Sequence, residues 1–287
     1  MIDICCVGHI TADKVVTTNS TMYMAGGTAY YFSYPFSKLD VNYLLVTALA
    51  PEEMSYVTDL RDHGIKVLVQ QSEHTVNFEN IYSENQDHRT QNVLQQADPF
   101  TENFLLPIQA RIFHLGPLLP GDISAGLIKT LSAKGKISLD AQGYLREVID
   151  KKVYPRDWPE KIEALQYVDI LKTDEGELAA LTGCTDVKTG ARMVADWGVK
   201  EVIITNGSHG SLIYFEDVFY TIPAFPPQVI VDATGCGDTY MAGYLYQRSK
   251  GADVEKAGVF AAGLASKKME AAGPFKGDPF SIHHSDI

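Results

Sequence analysis

Val231-Asp232-Ala233-Thr234-Gly235-Cys236-Gly237-Asp238-Thr239-Tyr240-Met241-Ala242-Gly243-Tyr244 is the stretch around which this chain is organised. An apolar run, Pro226 to Val231, precedes it and reads as extended. After it, Met241, Tyr244 and Leu245 recur at helical spacing among small residues, which predicts a helix. Gly235-Cys236-Gly237 is then a tight turn that opens a helix, with backbone N–H groups converging on one spot. Orphan donors and the helix dipole both make such a spot attractive to anions. Asp238 falls in the first turn of that helix. A carboxylate repels a neighbouring phosphate, so its presence there needs a reason. Accepting the proton of an attacking hydroxyl during phosphoryl transfer supplies one. The plainer alternative is an ordinary strand-to-helix turn, with Asp238 matched to the helix dipole.

The string Asp232-x-Thr234-Gly235-x-Gly237-Asp238 resembles the second signature of the ribokinase-like (PfkB-type) carbohydrate kinases, D-x-T-G-x-G-D. A small-residue helix follows in register, and the resemblance covers nearly the whole chain. It implies that Asp238 is the catalytic base and that the amides of Gly235, Cys236 and Gly237 hold the charge of the transferring phosphoryl group. Thr234 would lie beside the nucleotide. The Cys236 side chain has no histidine near it in sequence and reads as a space-filler.

Bulk properties set the bounds. The chain has 287 residues, 45% hydrophobic, enough for one sizeable α/β core. A formal net charge of −12 and a pI near 5.1 disfavour nucleic acid and anionic membranes as partners. A bound nucleotide would have to be neutralised locally. The four cysteines, Cys5, Cys6, Cys184 and Cys236, show no C-x-x-C spacing and no disulfide-scaffold density, which fits a reducing cytoplasm. Met1-Ile2-Asp3-Ile4 is strand-like rather than a signal peptide, and no apolar run is long enough to span a bilayer.

Strands and helices alternate from Met1 to Ala272, with an early β excursion. That pattern gives an α/β fold, a doubly wound and mainly parallel sheet flanked by helices, with a small β-lid. The resemblance implies one ribokinase-like domain over residues 1–287, its lid strands inserted within about 11–27 and 73–97. Ile2 to Val7 reads as a buried parallel strand. Asp13 follows its carboxyl end, where open α/β sheets place ligands, and matches the family's substrate-hydroxyl aspartate. A solvated turn residue is the alternative. Gly26-Gly27 resembles the family's first signature, the di-glycine that hinges the lid and touches the sugar. The usual G-G-K-x-x-N is altered, with Thr28 and Tyr31 in place of Lys and Asn, which implies a different substrate pocket. Thr75 to Tyr82 and Arg89 to Leu94 are short β pieces. Phe78, Asn80, Tyr82 and Arg89 among them serve as lid core or as substrate contacts, with lid core the favoured role.

Asp140-Ala141-Gln142-Gly143-Tyr144-Leu145-Arg146 resembles a D-x-N-x-R-like element lining the substrate cleft, through Asp140 and Arg146. His114, at a strand end, reads as a packed core histidine. Asp174 and Glu177 align with the N-x-x-E element thought to organise Mg²⁺ through waters, a hard cation that keeps most of its hydration shell. The alternative is that both are ordinary helix-dipole partners. Thr205, Gly207 and Gly210 match a T-x-G-x-x-G loop that passes the nucleotide. The resemblance also places Gly273 among the nucleotide-binding residues, in the Ala271-Ala272-Gly273-Pro274 stretch where relatives bind a monovalent cation, K⁺ for instance, by backbone carbonyls together with the Asp232 loop.

The resulting expectation is an ATP-dependent kinase that uses Mg²⁺ and transfers the γ-phosphoryl group to a hydroxyl of a sugar or polyol. Two alternatives stand beside it. A nucleoside kinase is favoured if Tyr30, Tyr31 and Phe32 stack on a base. A catalytically silent ligand-binding protein is suggested by the altered first signature. A homodimer through the lid is a further expectation from the resemblance.

Overall fold

The structure, a computed structural model, describes residues 1–16, 20–82 and 89–281, excepting the side chains of Tyr82 and Arg89. The sequence from Lys14 to Thr18 also reads as a strand; the part beyond Val16 lies outside the described residues, as do the Tyr82 and Arg89 side chains. In chain order the strands are β1 (Ile2–Gly8), β2 (Thr11–Val16), β3 (Thr21–Gly26), β4 (Tyr43–Leu49), β5 (Val67–Gln71), β6 (Asn77–Tyr82), β7 (Arg89–Gln95), β8 (Ala110–Gly116), β9 (Lys136–Asp140), β10 (Arg146–Ile149), β11 (Lys152–Pro155), β12 (Ile170–Asp174), β13 (Glu201–Thr205), β14 (Ser211–Phe215) and β15 (Val218–Ile222). The helices are α1 (Thr28–Ser33), α2 (Met54–Asp62), α3 (Glu102–Leu105), α4 (Ala125–Ser132), α5 (Lys161–Leu165), α6 (Glu175–Thr182), α7 (Val187–Asp196), α8 (Cys236–Ser249) and α9 (Val254–Met269).

Nine strands form the main sheet, in the order β15-β14-β13-β12-β9-β8-β1-β4-β5. Pairings from β13 through β12, β9, β8, β1 and β4 to β5 are parallel, and β14 and β15 add an antiparallel hairpin at one edge. Strand β1 shows why its sequence carries no polar alternation. Ile4 and Cys6 enter one core with Leu60 and Met241, while Cys5 and Val7 enter the other with Leu127 and Val194. Both faces are covered, so both sets of side chains must be apolar. Helices α2, α8 and α9 cover the first face, and α4, α5, α6 and α7 the second.

A second sheet has six strands, in the order β10-β11-β7-β6-β2-β3. Its strands β2, β3, β6 and β7 arise within 11–27 and 73–97. The hairpin β10–β11, residues 146–155, lies outside the bounds read from sequence and extends the sheet. Asp150 and Lys151 turn this hairpin with φ of 49° and 69°. Such turns are ordinarily marked by glycine or asparagine, and neither residue type stands here. A second departure concerns Pro226 to Val231. It forms no strand, and Val229, Ile230 and Val231 are exposed. The segment is an irregular loop, tied to the end of α9 where the Val231 amide donates to Met269 O at 2.8 Å. Among the described residues, no helix is long and apolar enough to cross a membrane.

Candidate active site

The carboxyl ends of β9 and β12 face the second sheet across a cavity of about 310 Å³. Two helix starts point into it. Gly27 caps α1 at φ 86°, and a Cβ there would meet His9 O at 2.7 Å. Gly235 caps α8 at φ 75°, and a Cβ there would lie 2.2 Å from the Tyr31 ring. Only glycine fits either position. Tyr31 thus packs closely against the turn that bears Gly235.

The amides of that turn are not equivalent. Cys236 N–H donates to Ala233 O at 3.3 Å, closing the turn. Of the three amides expected to face a ligand, that of Cys236 is thus engaged within the turn. Among the described residues, the Gly235 and Gly237 amides have no backbone acceptor. Asp238, third residue of α8, joins them in the cavity wall.

Asp238 is perturbed. Burial first, and the Asp140 carboxylate second, push its carboxyl up to about 6, against the pull of Lys172 and a hydrogen bond from Thr28. A carboxylate that titrates just below neutrality is a suitable proton acceptor at pH 7. Lys172 Nζ lies 3.0 Å from Asp140 Oδ2 and 3.8 Å from Glu177 Oε2. Burial works against its charge, but Asp140 and Glu177 outweigh it and hold the ammonium protonated. Sequence reasoning missed Lys172. The available signal was a lysine inside an apolar strand, Ile170-Leu171-Lys172, where an unpaired charge would be too costly to bury.

Asp13, Gly27, Asp140, Arg146, Thr234, Gly235, Cys236, Gly237 and Asp238 all line the cavity, joined by Thr28, Tyr31, Gln142 and Lys172. Gly26 lies just behind: a Cβ on it would be 2.5 Å from Asp13 Oδ2. Burial pushes the Cys236 thiol up to about 11, so it is neutral and fills space at pH 7. His114 is buried, stacks on Phe32 with centroids 4.1 Å apart, and meets Ser138 Oγ at 3.0 Å. Burial lowers its pKa to about 4, and it acts as core.

Other predicted residues stand off this wall. Asp174 and Glu177 form a reciprocal capping box on α6: Glu177 N–H donates to Asp174 Oδ1 at 2.7 Å, and Asp174 N–H to Glu177 Oε2 at 2.8 Å. They border a neighbouring cleft that shares Gln142 and Arg146 with the cavity. Among the described residues no three acidic, His or Cys side chains gather as a metal cage. One oxygen of each carboxylate is left over from the capping box, which fits contact with a hydrated Mg²⁺ and not direct ligation. Thr205, Gly207, Gly210 and Gly273 lie outside the cavity wall. Space is open beside Gly207 and Gly273, whereas a Cβ on Gly210 would meet Ile222 O at 2.1 Å.

Asp232 does not fit a bound monovalent cation. Its carbonyl and Oδ2 accept from Lys268 Nζ at 2.8 and 3.0 Å, Oδ1 accepts from Thr234 N–H, and Oδ2 also from Gly273 N–H. An ammonium already holds the Asp232 carbonyl and Oδ2, the oxygens this loop would offer to K⁺.

The family model for pfkB family carbohydrate kinases matches residues 1–279. The chain belongs to the pfkB carbohydrate kinase family. It is a phosphotransferase acting on a hydroxyl of a small molecule of the sugar, polyol or nucleoside type. The cytidine kinase of Thermococcus kodakarensis is 30% identical over 272 residues, which are 89% of this chain and 92% of that one. A pyrophosphate-dependent kinase of the ribokinase family, solved with a pyrophosphate analog and myo-inositol, is 32% identical with a TM-score of 0.87, over 95% of this chain and 97% of that one. A further structure concerns conversion of a pyrophosphate-dependent myo-inositol-1 kinase into a myo-inositol-3 kinase by two substitutions. It is 31% identical with a TM-score of 0.88, over 97% of each chain.

Proposed function

We propose that this kinase phosphorylates a hydroxyl of a cyclic polyol, with Asp238 taking the hydroxyl proton. The observation that carries the proposal is the wall around Asp238. Asp13, Asn80, Gln91, Asp140, Gln142 and Arg146 present polar groups suited to a ring of hydroxyls. Phe32 is fully buried and stacked on His114, and Tyr30 is buried with its hydroxyl on Tyr34 and Asp59. Those two aromatics pack in the core, so of the Tyr30-Tyr31-Phe32 run only Tyr31 faces the cavity. The likeness to the myo-inositol kinases supports the same acceptor class. A nucleoside acceptor is the second reading, favoured by the likeness to the cytidine kinase.

In the step itself, the acceptor oxygen forms a bond to the terminal phosphorus as the bridging P–O bond breaks. The hydroxyl proton passes to the Asp238 carboxylate. The Gly235 and Gly237 amides face the charge on the phosphoryl oxygens, which is the larger part of such catalysis. Lys172 holds Asp140 and moderates the field on Asp238. Closure of the second sheet over the acceptor would exclude water, so that the hydroxyl receives the phosphoryl group.

The donor is a phosphoanhydride. ATP is the donor read from sequence, with open space at Gly207 and Gly273 for its polyphosphate chain. Pyrophosphate is the donor suggested by the likeness to the myo-inositol kinases. Mg²⁺ would neutralise the donor's phosphates, its water shell facing the spare oxygens of Asp174 and Glu177. We also keep the lid-to-lid homodimer as a proposal, because the edge strand β3 exposes Met22 and Tyr23. Elution as a monomer on gel filtration removes it. A panel of cyclic polyols, sugars and nucleosides, assayed with ATP and with pyrophosphate, tests the function. Transfer to a cyclic polyol is the expected result, and transfer confined to nucleosides overturns it.

A further inference from the structure

We infer that Lys268 is a built-in cation of the phosphoryl-transfer site, and that turnover is consequently independent of K⁺. The inference rests on reading the Gly235 turn as the phosphoryl site. Lys268 lies in the last turn of α9 with its side chain fully buried. A buried ammonium persists only when its donors are matched by acceptors. Here they are the Asp232 carbonyl and Oδ2, at 2.8 and 3.0 Å. Its Nζ also stands 5.7 Å from the centre of the Tyr31 ring, the same ring that lies against Gly235.

These contacts give Lys268 two effects on the turn. It ties the Asp232 loop to α9, and through the Asp232–Thr234 hydrogen bond of 2.8 Å it fixes the residue that leads into Gly235. It also places one positive charge behind the turn whose amides face a phosphate. Both are what a bound monovalent cation supplies when backbone carbonyls replace its water shell. The two cannot coexist, since the same oxygens would serve both. Lys268 touches no reacting atom and is a positioning residue.

The test compares wild type with K268A and K268Q, with K⁺ present or replaced by choline at constant ionic strength. Wild-type kcat is expected to change by less than about twofold, because screening is held fixed. K268A is expected to lose about a hundredfold, the scale of one misaligned phosphoryl donor. K⁺ or NH₄⁺ is then expected to restore about tenfold by occupying the vacated oxygens, as a ligand that binds only the ordered state. In parallel, K⁺ is expected to raise the melting temperature of K268A and leave that of wild type unchanged. A residue that merely fills space would give no cation-specific rescue. A wild-type rate that rises severalfold with K⁺, or a folded K268A indifferent to both cations, overturns the inference. If neither variant folds, the wild-type response to K⁺ decides alone. If wild type transfers to no acceptor, the kinase reading fails, while the melting measurements still decide the cation seat.

Discussion

Lys172 Nζ and Asp140 Oδ2 meet at 3.0 Å on neighbouring parallel strands, where the two residues are register partners. Both are buried, at 7% and 3% exposure, and both act electrostatically on Asp238. Breaking a buried pair strands one charge, so K172M alone is expected to destabilise the fold by about 3–5 kcal/mol. K172M combined with D140N is expected to regain part of that loss. Urea unfolding of the four proteins measures the coupling. Strict additivity contradicts the pair.

The same pair sets the protonation of Asp238. With its carboxyl raised to about 6, kcat/KM should climb with pH through that value and level off above it. Asp140 raises this pKa and Lys172 lowers it. D140N should therefore move the acid limb to lower pH, and K172M to higher pH. Shifts in the same direction, or none, contradict the assignment.

Stability has the opposite pH sense for this group. A carboxyl raised from 3.8 to about 6 binds its proton more tightly in the folded than in the unfolded chain. The ionised form costs up to about 3 kcal/mol above pH 6, and the cost is relieved as pH falls from 6 towards 3.8. D238N removes that charge. It should melt higher than wild type at pH 7.5, and the gap should close towards pH 4.5. A gap unchanged with pH contradicts this.

Gly235 and Tyr31 share one space. G235A places a methyl group in the Tyr31 ring and forces alanine into the left-handed region, at a strain of about 1–3 kcal/mol. Turnover should drop by about a hundredfold as the amides tilt away. Adding Y31A relieves the clash but not the backbone strain, so stability should return in part and turnover should stay low. Full recovery of turnover contradicts the role given to the turn.

Asn80 is buried, and its side-chain carbonyl accepts from Gln91 Nε2 at 2.9 Å, both amides lining the cavity from the second sheet. Replacing Asn80 by Leu removes an acceptor group and strands Gln91. The KM for the acceptor should rise by about tenfold or more, and the preferred hydroxyl should change, while the KM for the donor holds. Product analysis by NMR checks the position, and an unchanged product with unchanged KM contradicts the role.

Much of this was legible in the chain. The main sheet could be read because β1, β4 and β8 are buried on both faces and are mostly apolar along their length. The Gly235-x-Gly237-Asp238 turn could be read because at Gly235 glycine is the one residue the backbone and the Tyr31 ring allow. The β10–β11 hairpin was hidden by a turn made of Asp150 and Lys151, which carry no glycine signal. Pro226 to Val231 misled because an apolar composition does not reveal exposure. Asp174 and Glu177 could be read as acidic helix-start residues, but not that each caps the other. Lys172 and Lys268 are long-range partners of carboxylates 32 and 36 positions earlier, and no local pattern encodes such distances.

The central claim is that Asp238 takes the proton of the attacked hydroxyl. The kcat of D238N, measured with the preferred acceptor and a melting curve on the same sample, tests it most directly. The account predicts a folded protein, at least as heat-resistant as wild type, with kcat down by about 10²–10⁴. A folded D238N turning over within a few-fold of wild type contradicts it.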